Sequence, residues 1–112
     1  MYELVDVAAR SLVYPTFKIP TMIARESLLC GDLAQLIISG RERLWVKVER
    51  VFGTGLGKSY VGVVQSSPVE PEVLGVRTGD EVSFSPRHVA DIELRSESYD
   101  HAYPVDTLTT NL

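Results

Sequence analysis

The stretch Glu42-Arg43-Leu44-Trp45-Val46-Lys47-Val48-Glu49 decides how this chain is read. Leu44, Val46 and Val48 alternate with Arg43, Trp45, Lys47 and Glu49, a period of two that an extended strand turns into one apolar face and one mixed face. Downstream, Tyr60 to Gln65 has the same character and reads as the hairpin partner, joined through the glycine-rich loop Phe52-Gly53-Thr54-Gly55-Leu56-Gly57-Lys58. Upstream, Leu33 to Ile38 is almost wholly apolar, the pattern of a strand buried on both faces. Further strands are expected at Val73–Val76, Glu81–Phe84 and Val89–Leu94, with a turn at Arg77-Thr78-Gly79-Asp80 and one helical turn at Pro86-Arg87-His88.

Ahead of the strands, Val5, Ala8, Ala9 and Leu12 repeat at helical spacing, which predicts an amphipathic helix over residues 2–13 that Pro15 stops at Tyr14. Phe17-Lys18-Ile19-Pro20 reads as extended. Thr21 can cap a short second helix running to about Leu28, with Met22, Ile23 and Leu28 turned inward. Gly31-Asp32 and Gly79-Asp80 each stand directly before an apolar strand. Glycine there permits a positive φ and the aspartate can bond the turn backbone, so both aspartates are read first as turn formers.

These elements predict an α+β domain: a strongly bent antiparallel sheet or partial barrel of about five or six strands, with an N-terminal helix and a short second helix. Residues 1–94 form a single domain in this reading, and the polar stretch 95–112, which lacks apolar periodicity, reads as a loosely ordered tail.

Composition narrows the function classes. The chain has 112 residues, 45% hydrophobic and 23% charged, enough apolar material to fold without disulfide or metal staples. Its one cysteine, Cys30, excludes an intramolecular disulfide, favours a reducing compartment and reads as a small buried thiol. No apolar run approaches membrane-spanning length, and the acidic start Met1-Tyr2-Glu3-Leu4-Val5-Asp6 is unlike a signal peptide, so cytoplasm is the expected location. Fifteen acids against 11 bases give a net charge of −4, and Glu42 and Glu49 interrupt the cluster Arg41, Arg43, Lys47, Arg50. Nucleic acid is therefore a disfavoured partner.

Gly53-Thr54-Gly55-Leu56-Gly57-Lys58-Ser59 resembles a phosphate loop, but Phe52 stands where its first glycine must be, and a strand rather than a helix follows. Nucleotide binding is rejected, and no cofactor is expected. His88 and His101, with Cys30, make no metal-ligand spacing, so no metal site is expected. His88 with Asp91 can act as an acid/base pair, against the plainer reading of a half-exposed histidine at a strand start. Trp45 between Arg43 and Lys47 has two placements: a binding anchor on a solvent face, or core beneath the N-terminal helix.

Several segments in order then resemble a bacterial family of small proteins known as a domain of unknown function: Phe17-Lys18-Ile19-Pro20, Gly31-Asp32-Leu33-Ala34-Gln35-Leu36, Glu42-Arg43-Leu44-Trp45-Val46-Lys47-Val48, Tyr60-Val61-Gly62-Val63, Gly79-Asp80-Glu81-Val82-Ser83-Phe84 and Pro86-Arg87-His88-Val89-Ala90-Asp91-Ile92. The resemblance spans residues 15–93. It implies a bacterial origin and supplies no catalytic residues. Family members often carry an Asn-Asp-Pro-like step where this chain has Ser66-Ser67-Pro68, which points to an altered site here if that acidic step serves a ligand.

The function expected from all this is a protein-interaction or binding module, with toxin-neutralising immunity proteins as one such class, binding another protein through Arg43, Trp45, Lys47 and His88. The alternative is a small-ligand-binding protein or enzyme that brings Glu42, Arg43, His88 and Asp91 into one cleft.

Overall fold

The computed structural model describes residues 2–94; the tail expected over 95–112, with His101, lies outside the described residues. Five strands form one antiparallel sheet: β1 Leu33–Ile38, β2 Glu42–Phe52, β3 Ser59–Val64, β4 Glu81–Phe84 and β5 Val89–Glu93, in the order β4-β3-β2-β1-β5. The sheet is open. Its two edge strands, β4 and β5, are nevertheless consecutive in the chain and separated only by a 3₁₀ turn at Pro86–His88, so the sheet must curl to bring its ends together.

The concave face holds the core. Alternate residues of each strand turn inward, and register aligns them: Leu36 faces Leu44, Ala34 faces Val46, and Val46 faces Val64. Tyr60 and Phe84 pack ring against ring at 5.2 Å, and Leu28, Leu74 and Val76 close the open side. Tyr60 is fully enclosed, so its hydroxyl needs partners. It donates to the Arg25 carbonyl at 2.8 Å and accepts from the Leu28 amide at 3.3 Å, tying the segment after the second helix to the sheet. Burial is the main cause that raises its pKa.

Two bulges shape the sheet. The register between β2 and β3 slips between Val48 and Arg50, which returns Val51 to the inner side and lets β2 run on to Phe52, past the expected end at Glu49. Another slip lies where β5 passes Gln35 and Leu36, and it leaves Val89 and Ala90, adjacent in sequence, both buried but in different clusters.

The helices depart from expectation more than the strands do. α1 is Val7–Val13, not 2–13: Asp6 caps it by accepting from the Ala9 amide at 2.9 Å. Residues before the cap are extended instead, with Leu4 bridged to Ile38 and the Val5 amide donating to the Ile37 carbonyl at 3.0 Å. Its buried residue is Val7, whereas Leu12 is 86% exposed. α2, Met22–Glu26, is capped by Thr21 as expected, but Met22 and Ile23 face solvent and the buried residue is Arg25. The strand expected at Val73–Val76 is a helical turn, α3, Pro71–Leu74. Proline opens it and Gly75, with φ of 82°, ends it in the left-handed conformation.

Both Gly-Asp steps behave as read. Gly31 and Gly79 have φ of 97° and 92°. Asp32 accepts from the Leu29 amide at 2.8 Å and Asp80 from the Arg77 amide at 2.9 Å, the same turn used twice. The glycine loop forms a 3₁₀ turn at Gly55–Gly57 followed by β3, and Lys58 Nζ donates to the Glu26 carbonyl at 2.9 Å. Cys30 corrects another expectation. Its thiol is exposed, not buried, and donates to the Glu49 carbonyl at 3.2 Å, serving the bulged stretch of β2.

Candidate functional site

The convex face of the sheet carries Arg43, Trp45, Lys47 and Asp91 of the residues that the sequence singles out. Register sets Trp45 beside Gln35, and Gln35 beside Asp91, so these side chains form one row across β2, β1 and β5. Two strand spacings separate its ends, about 10 Å. Trp45 is half-buried between exposed Arg43 and Lys47. α1 packs mainly against the Pro86–His88 turn, so the tryptophan is left on the surface side of the sheet rather than inside a helix–sheet core.

The backbone under Trp45 is firmly held. Its amide donates to Ser66 Oγ at 2.9 Å, and its carbonyl accepts from the Gln65 amide at 2.8 Å. Thr78 Oγ1 in turn donates to the Ser66 carbonyl at 2.8 Å. The Ser66-Ser67-Pro68 step therefore positions the tryptophan's strand in this chain.

Beside this row, the extended segment Phe17-Lys18-Ile19-Pro20 crosses the convex face. Phe17 and Ile19 join Val5 in packing on a small second cluster of Val7, Ile37 and Ala90. Arg10 and Arg43 each lie over the Phe17 ring, 5.8 Å from its centre, two cation–π contacts, and Arg43 also donates to Gln35 Oε1 at 3.1 Å. Between this segment, α2 and the edge strand β5 opens a cleft of about 670 Å³. Ile19, Pro20, Ala24, Ala90, Ile92 and Leu94 supply apolar lining; Lys18, Arg43 and Asp91 supply charge. The volume lies within the range of ordinary ligand pockets.

The four residues of the enzymatic alternative are divided by this arrangement. Arg43 and Asp91 line the cleft; Glu42 and His88 do not. Both Glu42 oxygens are taken by backbone, accepting from the Val69 amide at 2.9 Å and the Glu70 amide at 3.1 Å, which fixes the loop ahead of α3. His88 Nδ1 accepts from the Ser85 amide at 2.9 Å, closing the turn between β4 and β5. Burial lowers the His88 pKa, the neighbouring Arg87 charge adds to that effect, and Asp6 opposes it. Its accepting nitrogen requires the neutral ring. Of the four residues expected to bind, Arg43, Trp45 and Lys47 thus share the convex face, and His88 is committed to a turn.

Lys18, Ile19, Ala24 and Ile92 were not expected at a site. Their segments carry no chemical motif, and only the fold brings them beside β5. Among the described residues, no three of His, Cys, Asp and Glu stand close enough to hold a metal ion, and no helix is long and apolar enough to cross a membrane. Comparison with protein-family models, with curated proteins and with solved structures finds no match.

Proposed function

We propose that this domain is a protein-interaction module, taking a short apolar segment of a partner protein into the cleft beside β5 while Arg43, Trp45 and Lys47 make the adjoining contacts. The observation that carries the reading is the cleft itself: an open depression with mostly apolar walls, running into a convex face where a tryptophan sits between two cations. Tryptophan and arginine are the residue types that most often anchor interfaces. Asp91 Oδ1 accepts from the Ile92 amide at 2.8 Å, so that amide of the edge strand already has a partner. Recognition by inserted side chains fits this better than addition of another strand. An immunity-type role in a bacterial cytoplasm is one form of this reading, in keeping with the bacterial resemblance.

The enzymatic alternative has less support, since two of its four groups are engaged by backbone away from the cleft.

Selection of a displayed random-peptide library on the domain tests the proposal. The expected result is enrichment of apolar segments flanked by Asp or Glu, with about tenfold weaker binding to Arg43→Glu. Absence of enrichment, or equal binding to a folded Arg43→Glu variant, overturns it.

A further inference from the structure

On the other side of α2, we infer a separate small-oxyanion site built on the buried guanidinium of Arg25. This residue is only 9% exposed, and among the described residues Asp32 is the only other buried charged one. Its Nε donates to the Pro20 carbonyl at 3.0 Å and its Nη1 to the Pro86 carbonyl at 3.1 Å. A guanidinium carries five N–H donors, and among the described residues these two bonds leave three without a partner. Among the described residues no carboxylate comes within ion-pair distance of it. A buried cation met only by neutral carbonyls is costly, and an arriving anion relieves that cost.

There is space for one. Arg25 lines a cavity of about 280 Å³ that also borders Glu26, Ser85 and Arg87. Arg87 is held only loosely, with Nε 3.9 Å from Asp6 Oδ2, and its side chain is exposed. The lining thus includes two arginines and one glutamate, with the Asp6 carboxylate standing beside Arg87 outside the walls. Both proline carbonyls fix the Arg25 plane before any ligand arrives, which is the preorganisation that forked recognition of a carboxylate or phosphate group uses. The small volume sets the ligand class as a compact oxyanion, or the anionic end of a larger molecule.

Amide and arginine side-chain NMR of the full chain tests this, titrating sodium phosphate and, separately, sodium acetate against sodium chloride of equal ionic strength. Saturable shifts at Met22, Arg25, Glu26 and Arg87 are expected with at least one of the two anions. Saturation by phosphate alone assigns a phosphoryl group, and by acetate alone a carboxylate. Arg87→Ala, a surface change that spares the two proline contacts, should weaken saturation about tenfold while the spectrum stays that of a folded domain. No saturable shift with either anion up to about 20 mM, a range that reaches past weak millimolar binding, overturns the site. So does an unchanged response in Arg87→Ala.

Discussion

His88 shows how a residue that resembles an acid/base group can be a structural one. Its ring nitrogen closes the turn joining the two edge strands, and that role needs the unprotonated ring. Because the folded state lowers its pKa, the unfolded chain binds the proton more readily. Stability from this group is therefore complete above the unfolded value of about 6.5 and declines as pH falls from there through the folded value. His88→Gln keeps an acceptor at the same place without a titrating ring. Urea unfolding at a series of pH values should show His88→Gln losing less stability than wild type on acidification; parallel curves for the two proteins would refute the assignment. In sequence, His88 offered only its type and a neighbouring acid, whereas its burial and its Ser85 partner are products of the turn. Arg25 was still less legible, because nothing in Met22-Ile23-Ala24-Arg25-Glu26 separates a buried arginine from a solvated one.

Elements were legible where side-chain alternation met a single environment. Leu44, Val46 and Val48 could only be a strand face, and β1 and β4 have the boundaries that the pattern set. The helical repeat overextends α1 because Val5 fits it as well as it fits a pairing with β1, and only the tertiary partner Ile37 decides between them. At α3, the apolar Val73-Leu74 suggests a strand, but Pro71 at the start and Gly75 at the end are the stronger signals and mark a helical turn. Gly62 belongs at this scale too. A Cβ there would run into Val46 Cγ1 and the Lys47 carbonyl, since β2 and β3 approach closely just ahead of the bulge. Gly62→Ala is expected to cost about 1–3 kcal/mol, measurable as a lower urea midpoint with unchanged slope. A stability equal to wild type would show that the two strands do not pack this closely.

At the scale of the whole molecule, pairing ranges differ sharply along the sheet. β1 with β2, β2 with β3, and β3 with β4 are neighbours in sequence, whereas β5 joins β1 through pairs such as Leu33 with Glu93. Closing that long loop costs more chain entropy, and the resulting seam is held by one strand neighbour and interrupted by a bulge. Native-state hydrogen exchange should find the β1–β5 amides opening at lower free energy than those shared by β2 and β3. Equal protection across the sheet would mean that the seam is as cooperative as the centre. The cleft lies beside β5, and the sequence pattern does not announce it: its lining comes from the interhelical segment, from α2, from Arg43 of β2 and from the last strand, which meet only once the sheet has curled.

The carboxylate of Asp91, turned onto the next residue's amide in that last strand, has an effect beyond recognition. A bare strand border is a template on which a second copy of the chain could continue the ladder and begin a fibril. With one of its rungs already occupied and a negative charge standing beside it, β5 is poorly suited to such stacking, and the molecule can leave a sheet margin beside an open cleft without inviting polymerisation.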